Sequence, residues 1–209
     1  MKRVIDPQSW ARREYFEHYN GMDNPYFSLT AETDVTRIYD RTKAENDWFY
    51  VRYLHAILRA VNDIGELRYR IERGRVVQFD RIHISPTVGR DDGSFGFSHV
   101  DYDPDYMAFR AAFRAETERV RAGSGLMKRE GAERIDTIYS TALPWVRFTD
   151  LTHPMNLGGG SGVMLLATGQ VFRRDGKRLM PLQFSLHHGF ADGRHAGLFL
   201  ERVQRYFDE

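Results

Sequence analysis

The chain has 209 residues, of which 42% are hydrophobic and 13% aromatic, enough to bury one sizeable core. Its formal net charge of +1 argues against nucleic acid or an anionic membrane surface as a partner, and we expect neither. The chain contains no cysteine, which excludes disulfides, thiolate nucleophiles and cysteine-based metal sites and favours a cytoplasmic location.

The first half of the chain switches between helix-like and strand-like periodicity. Asp6 and Pro7 favour a helix start. Apolar residues at helical spacing predict the strongest helix at residues 48–62, and Asp105 caps a helix that runs through Val120. The predicted helices cover residues 10–19, 36–46, 48–62 and 103–120, and the predicted strands cover residues 27–35, 67–71, 76–84 and 95–100.

The second half continues this mixture and closes with a helix. Residues 122–133 are rich in glycine and charge and predict a mobile loop. Residues 173–177 contain an Asp-Gly pair, which favours a tight hairpin turn between two strands. The predicted strands cover residues 135–143, 163–172 and 179–188, and the predicted helix covers residues 192–207.

Helices and strands mix without strict alternation, and neither repeats nor a linker rich in proline or serine divide the chain. This order predicts an α/β fold, an α+β sandwich in which helices cover a mixed, mainly antiparallel sheet. We expect a single domain over residues 1–209.

Residues 180–193, with the sequence MPLQFSLHHGFADG, carry the candidate chemistry. The alternation predicts a strand with one buried face and one wetter face; the buried face holds Leu182, Phe184, Leu186 and His188, and the wetter face holds Gln183, Ser185 and His187. Histidine gains or loses a proton near neutral pH, and catalysis needs its ring held in one rotamer and tautomer. The alternation therefore favours His188 over His187 as a catalytic base. The alternative is a pair of ordinary strand-end histidines.

Residues 187–193 resemble the His-His-x-x-x-Asp-Gly signature of the chloramphenicol acetyltransferases, and the wider CoA-dependent acyltransferase superfamily shares the shorter His-x-x-x-Asp-Gly. Further patches of similarity follow in the family's order at residues 10–19, 27–30, 141–148 and 178–182. The resemblance implies the chloramphenicol acetyltransferase fold and an O-acetyltransferase that moves acetyl from acetyl-CoA to a hydroxyl of chloramphenicol or a related small acceptor. It also implies a homotrimer whose active sites lie at subunit interfaces.

The resemblance also assigns the catalytic residues. His188 would be the general base that takes the acceptor's hydroxyl proton, so that the hydroxyl attacks the thioester directly. Asp192 would pair with Arg12 in a buried Arg–carboxylate fork and would not touch substrate. Thr141 stands where the family usually has serine, and its hydroxyl would donate to the oxyanion. The open alternatives are a solvated Arg12 and an ordinary strand Thr141.

For acetyl-CoA, the resemblance points to Trp145 and Phe172, which stand where the family has aromatic residues near the cofactor. Thr168 matches a family threonine that orders a water near the oxyanion. Aromatic residues in strands are most often part of the core, which is the alternative for both Trp145 and Phe172.

The acceptor pocket departs from the family pattern. Tyr19 and Phe27 keep its aromatic lining, but His18 stands where the family commonly has phenylalanine. Residues 22–26 are more polar than usual, and the charged residues 121–133 are unfamiliar. A more polar acceptor than chloramphenicol is therefore the alternative substrate.

Two other classes of function remain open. His188, Asp192 and His195 are spaced i, i+4, i+7, which on a helix would present three metal ligands on one face. Gly189 and Gly193 oppose a helix there, so we expect no metal. A non-catalytic binding homologue would use the same fold, but it needs neither the histidine nor the aspartate.

Residues 158–162 read Gly-Gly-Gly-Ser-Gly and invite interpretation as a phosphate-binding loop. The Lys-Ser/Thr pair of such loops does not follow, and no helix pattern starts there. The glycines instead predict a loop that lets chain segments pass closely.

Overall fold

The computed structural model describes residues 1–127, 134–155 and 160–209. The helices are α1 (Arg13–Asn20), α2 (Thr36–Ala44), α3 (Phe49–Asp63), α4 (Tyr106–Ala122) and α5 (Gly193–Asp208). The strands are β1 (Lys2–Val4), β2 (Tyr26–Asp34), β3 (Tyr69–Glu72), β4 (Arg75–Phe79), β5 (His83–Gly89), β6 (Phe95–Phe97), β7 (Thr137–Ala142), β8 (Leu165–Thr168), β9 (Phe172–Arg174) and β10 (Lys177–His187).

The main sheet runs in the order β2-β10-β8-β7-β5-β6, and β9 also pairs with β10. Strand β10 pairs antiparallel with β2 on one side and with β8 on the other. Only the β8–β7 and β7–β5 pairs among these neighbours are parallel. The prediction of a mixed, mainly antiparallel sheet is therefore confirmed.

Helices α2, α3, α4 and α5 cover the face of this sheet that carries Leu182, Phe184 and Leu186. Phe184 packs edge-on against Phe199 of α5, with ring centroids 4.9 Å apart. Burial of each large apolar side chain stabilises the fold by about 1.5–3 kcal/mol, so this interface fixes the strand against the helices. The predicted helical cover of the sheet is confirmed.

A second sheet has the strand order β1-β4-β3. Its strand β1, at residues 2–4, was not predicted from the sequence. Tyr69 of β3 contacts Trp10, with ring centroids 5.2 Å apart, and also contacts Phe190, at 5.8 Å. This aromatic cluster joins the segment before α1 to the turn that follows β10. It therefore connects the two parts of the chain that carry the candidate site.

The predicted strand at residues 76–84 is wrong, because the chain leaves the small sheet after Phe79 and enters the main sheet at His83. Between the two strands, the Asn62 side chain accepts from the Ile82 N–H and donates to the Ile82 carbonyl, at 2.8 and 2.9 Å. A side chain thus replaces the neighbouring strand, which periodicity in the sequence does not reveal.

The predicted strand at residues 163–172 is also interrupted, between β8 and β9. A Cβ at Gly169 would lie 3.0 Å from both Phe148 and Pro181, and Gln170 N–H donates to the Val146 carbonyl at 2.9 Å. A crossing segment therefore occupies the space where the strand would continue. The hairpin turn between β9 and β10 is confirmed at Asp175 and Gly176, which both have positive φ.

Most other element predictions match within a few residues. The first helix begins at Arg13 rather than at residue 10. Residues 128–133 of the expected mobile loop and residues 158–159 of the glycine run lie outside the described residues. None of the helices in the described ranges combines the length and the apolar character that a membrane crossing requires.

Candidate active site

His188 follows the last residue of β10 and is held between aromatic rings. The Tyr19 ring stacks on the imidazole in parallel, with centroids 4.0 Å apart and planes 4° apart, and the Phe27 ring lies at 4.8 Å. The main-chain N–H of His188 donates to the Pro25 carbonyl at 2.8 Å. These contacts come from the end of α1 and the start of β2, and they restrain the ring to one orientation.

The two ring nitrogens of His188 differ in access. Nδ1 is buried and has no hydrogen-bond partner among the described residues. The side chain is partly exposed, and Nε2 is not among the buried unpaired atoms. Nε2 is therefore the nitrogen that can meet a substrate, and base function there requires the proton on Nδ1.

His187 is the more buried of the two histidines, which corrects the prediction that it lies on a wetter face. It is 3% exposed, and burial lowers its pKa to about 4, with a smaller effect from the neighbouring His188. Its Nδ1 accepts the Gly189 N–H at 3.2 Å, so its proton sits on Nε2. His187 is thus a neutral structural group rather than a titrating one near pH 7.

The faces of β10 are also less different than the alternation predicts. Gln183 and Ser185, assigned to the wetter face, are 0% and 1% exposed. Ser185 is bonded to Ser28 at 2.7 Å, and Gln183 donates to Ser185 and pairs with His153. The second face is therefore a buried polar layer, and polarity alone does not indicate exposure.

Arg12 contacts Asp192 across 180 residues of sequence. Its Nη1 donates to Asp192 Oδ2 at 2.9 Å, its Nε donates to the Gly189 carbonyl at 3.3 Å, and its Nη2 donates to the His188 carbonyl at 3.4 Å. One guanidinium group therefore ties the segment before α1 to the whole turn that follows β10.

The predicted buried fork between Arg12 and Asp192 is wrong in detail. Only one carboxylate oxygen takes one Arg12 N–H, and the Asp192 side chain is 36% exposed. Asp192 also caps α5, where its Oδ1 accepts from Arg194 N–H and lies 2.8 Å from His195 Nδ1. Partial burial pushes the Asp192 pKa up, but the hydrogen bonds from Arg12 and His195 outweigh it and lower that pKa to about 2.

Thr141 and Thr168 lie on neighbouring strands elsewhere on the sheet. Thr141 pairs with Ala167 of β8, and its hydroxyl has no hydrogen-bond partner among the described residues. Thr168 is 1% exposed, and its hydroxyl is bonded to Tyr53 at 2.9 Å. The sequence analysis missed Tyr53, whose signal would have been its position on the apolar face of α3.

The strand register separates these threonines from His188 within one chain. Thr141, Ala167 and Gln183 lie side by side across β7, β8 and β10. His188 lies five residues beyond Gln183, which is about 16 Å along the strand, and β7 lies two strands away, about 10 Å across. A single chain therefore holds two groups of candidate residues rather than one site.

The remaining candidate residues divide between the same two groups. His18 contacts Tyr19 edge-on at 4.9 Å and so lies near His188. Phe172 lies under the Arg147 guanidinium at 3.7 Å, on the side of Thr168. Trp145 is 80% exposed.

A metal site is not suggested by the geometry of the described residues. No group of three or more His, Cys, Asp or Glu among them is placed to hold an ion. His195 instead bonds to Asp192 at the start of α5.

Gly162 illustrates the close approach that the glycine run predicts. Its φ is +73°, and a Cβ there would lie 2.4 Å from the Phe190 ring. Phe190 stacks on His187 at 4.6 Å and on Phe16 at 5.5 Å. The backbone at Gly162 therefore packs closely against the turn that follows β10.

A family model described as chloramphenicol acetyltransferase matches residues 2–204 of the chain. A chloramphenicol acetyltransferase from Clostridium butyricum is 25% identical over 205 residues, covering 96% of this chain and 92% of that protein. One from Proteus mirabilis is 26% identical over 207 residues, covering 99% and 94%.

Solved structures agree with these relatives. A structure of a chloramphenicol acetyltransferase superposes with a TM-score of 0.94 at 32% identity, covering 99% of this chain and 100% of that one. A probable dihydrolipoamide acetyltransferase from Listeria monocytogenes has a TM-score of 0.68 at 14% identity, covering 99% and 94%. The second match shows a shared fold alone.

Proposed function

Because the chain belongs to the chloramphenicol acetyltransferase family and is therefore an acyltransferase, we propose that it moves an acetyl group from acetyl-CoA to a hydroxyl of chloramphenicol or a related small acceptor. We propose that it does so as a single domain over residues 1–209, with His188 as the general base. The observation that carries the proposal is the His188 ring, fixed by Tyr19 and Phe27 with one nitrogen accessible.

His188 Nε2 takes the proton of the acceptor hydroxyl as the hydroxyl oxygen attacks the acetyl carbonyl. This attack forms the new carbon–oxygen ester bond. The carbon–sulfur bond of the acetyl-CoA thioester then breaks. The proton on His188 then passes to the departing sulfur, which leaves as the CoA thiol. The ring must hold one orientation through both transfers, and its stacking on Tyr19 at 4.0 Å supports that requirement.

Arg12 and Asp192 act as positioning residues in this scheme. Arg12 donates to the main-chain carbonyls of His188 and Gly189 as well as to Asp192, so it holds the backbone that carries the base. Neither residue needs to contact substrate. Their contribution is the placement of the imidazole, and a displacement of about 1 Å can cost on the order of 10²-fold in rate.

The proposed oxyanion donor, Thr141, requires a second chain. None of the described residues hydrogen-bonds to its hydroxyl, which leaves that hydroxyl available to donate to an oxyanion, but Thr141 lies far from His188 in the same chain. We therefore propose that each active site combines His188 of one chain with Thr141 of a neighbour, as in a homotrimer with sites between subunits. The side chain of Trp145, four residues after Thr141, is largely exposed in the single chain, which supports a contact with a neighbouring chain there.

We propose that Trp145, Phe172 and Thr168 lie along the path of acetyl-CoA. Thr168 is buried beside Tyr53, and Phe172 is flanked by Arg147 and Arg174. Guanidinium groups beside an aromatic ring suit a ligand with phosphate groups and a base.

Tyr19, Phe27 and His18 form the proposed acceptor side. The Tyr19 and Phe27 rings beside His188 offer an apolar surface for an acceptor that contains a ring. His18, in contact with Tyr19, adds a polar side chain that can hydrogen-bond to the acceptor. His18 is the observation that favours the second candidate, transfer to a more polar acceptor than chloramphenicol.

The test is a kinetic assay of thiol release from acetyl-CoA with chloramphenicol beside a panel of other antibiotic and small hydroxyl acceptors. Transfer to chloramphenicol supports the first proposal, and transfer to other acceptors alone supports the second. Absence of transfer to every acceptor would leave a non-catalytic binding homologue. The cytoplasmic location stays a prediction, which cell fractionation would test.

The same assay tests the base. We expect His188→Ala and His188→Gln each to lower kcat by about 10²–10⁴-fold, since neither side chain can accept the hydroxyl proton. Circular dichroism and melting temperature check that both variants fold, and the glutamine variant keeps bulk against Tyr19. A folded variant with full activity would end the assignment.

A further inference from the structure

A cleft of about 270 Å³ opens on the helical side of the molecule, and none of the proposed acetyl-transfer residues lines it. It lies between α2, α3, the start of α4 and the end of α5. A single water needs only about 10–15 Å³ on this measure, so the cleft has room for a ligand. Its polar lining comes mainly from Arg41, Arg52, Arg59, His55, Tyr106 and Tyr206.

Two of the three arginines are held rigidly at the edge of the cleft. Arg52 donates to Asp47 Oδ2 from Nη2 at 2.7 Å and lies over the Tyr106 ring at 4.5 Å. Arg59 pairs with Glu209 and lies over the Tyr206 ring at 3.8 Å. Arginines stacked on tyrosines keep their planar forks in place and lose little freedom when a ligand binds.

Arg41 is the third arginine, and it lacks a compensating partner. No ion pair or side-chain hydrogen bond to it is found among the described residues, and its Nε is buried without a partner. A buried donor left unpaired is costly, and native structures leave few of them. Glu45 and Asp47 neutralise Arg52, and Glu209 neutralises Arg59, so Arg41 is the lining guanidinium group left without a counter-charge among the described residues. That uncompensated positive charge favours an anion in the cleft.

His55 adds a neutral acceptor to this lining. Its Nε2–H donates to the Asp103 carbonyl at 2.9 Å, which leaves the lone pair on Nδ1. Burial lowers the pKa of His55, so the ring is neutral near pH 7. A ligand with hydroxyl groups beside its anionic group would match this combination.

We propose that this cleft is a binding site for a compact phosphate-bearing ligand, anchored by Arg41 and flanked by Arg52 and Arg59. A guanidinium fork matches phosphate oxygens in pairs, which Arg41 can offer because none of the described residues engages its guanidinium group. The site is separate from the acetyl-transfer residues and does not depend on their assignment.

Isothermal titration calorimetry at fixed ionic strength tests the proposal, with inorganic phosphate and ribose 5-phosphate as probes and acetate as a control for non-specific anion binding. We expect saturable binding of one phosphate group per chain. Tighter binding of ribose 5-phosphate would identify a phosphate monoester as the ligand, and equal binding would identify phosphate itself. Acetate that binds as well as phosphate would overturn the proposal.

Arg41→Gln should weaken binding at least tenfold. Lys43→Gln is the matched control, because it removes the same charge from an exposed position on α2 outside the cleft, and it should bind as the parent does. Unchanged binding in Arg41→Gln, or no saturable binding by the parent chain, would refute the proposal. If Arg41→Gln does not fold, Arg41→Lys keeps the charge without the fork, and its binding should also weaken.

Discussion

At the scale of single residues, two adjacent histidines take opposite roles because their surroundings differ. His187 lies inside a cluster formed by Phe16, Phe190 and Tyr26 and accepts a main-chain N–H. His188 stacks on Tyr19 with one nitrogen accessible. The buried ring fixes the turn, and the ring with the accessible nitrogen is the proposed base.

The buried histidine predicts a specific loss of stability in acid. His187 titrates at about 6.5 when the chain is unfolded, whereas burial lowers its pKa to about 4 in the folded protein. Its contribution is complete above about pH 6.5 and is lost as pH falls towards 4, because the unfolded state then binds a proton that the folded state does not. The expected loss is about 3 kcal/mol.

Urea unfolding at pH 7.5 and 4.5 checks this expectation with the parent and His187→Asn. Asparagine keeps an acceptor near the Nδ1 position but does not titrate. From pH 7.5 to 4.5, the free energy of unfolding of His187→Asn should therefore fall by about 2–3 kcal/mol less than that of the parent. Other histidines with lowered pKa contribute equally to both proteins; they are His55, His83, His99 and His153. Parallel pH dependences in the two proteins would show that His187 is not the group responsible.

At the scale of elements, β10 is the strand that both positions the proposed base and connects the rest of the sheet. It pairs with β2, β8 and β9, and its end at His187 sets the place where the turn begins. The turn itself is held from two directions. Arg12, in the N-terminal segment, donates hydrogen bonds to the carbonyls of the turn, and Gly162 packs against the Phe190 ring.

This arrangement predicts different effects for two glycine substitutions of equal backbone strain. Gly162 and Gly176 have φ of +73° and +76°, but a Cβ meets Phe190 at 2.4 Å only in the first case. Gly176→Ala should cost about 1 kcal/mol, the ordinary penalty of positive φ. Gly162→Ala should cost more, about 2–3 kcal/mol, because the aromatic ring must also move.

The same pair tests the link from packing to function. Denaturant melts give the two stabilities, and acetyl-transfer kinetics should show a lowered kcat for Gly162→Ala alone. Equal losses of stability and equal kcat values would mean that Phe190 moves aside without disturbing the histidine turn.

At the scale of the whole molecule, the two groups of proposed catalytic residues stand at separate places on one sheet. His188 lies beyond the end of β10, whereas Thr141 is level with Gln183 near its middle. Folding one chain cannot bring them together, because the hydrogen-bonded register fixes their separation. Association of chains would do so, which gives oligomerisation a catalytic role in the proposed function.

Mixing two inactive variants tests this geometry. His188→Ala and Thr141→Ala chains that are unfolded together and refolded should regain activity, since some interfaces then pair an intact His188 with an intact Thr141. Random assembly of equal amounts predicts that about a quarter of the sites are intact. Each variant refolded alone is the control, and light scattering reports the oligomeric state. Failure of the mixture to exceed the two controls would place both residues within one chain's site or remove Thr141 from catalysis.

The local features of the chain were predictable from the sequence. The cap at Asp105, the Asp-Gly turn at Gly176 and the helix that follows Asp192 depend on neighbouring residues, and all three appear as expected. The motif at residues 187–193 carried the resemblance that the family match confirms. The overall fold class was likewise predicted, because it follows from the order of elements and their periodicity.

Only the tertiary structure decided features that depend on distant parts of the chain. The Asn62 side chain hydrogen-bonds to the backbone of Ile82, 20 residues away, in the segment between β4 and β5. Aromatic rings from α1 and the turn bury His187. The sequence predicted a wetter face there, because His187 shares a face of β10 with the polar residues Gln183 and Ser185. The separation of Thr141 from His188 follows from strand register, which pairs residues far apart in sequence and leaves no local signal in either strand.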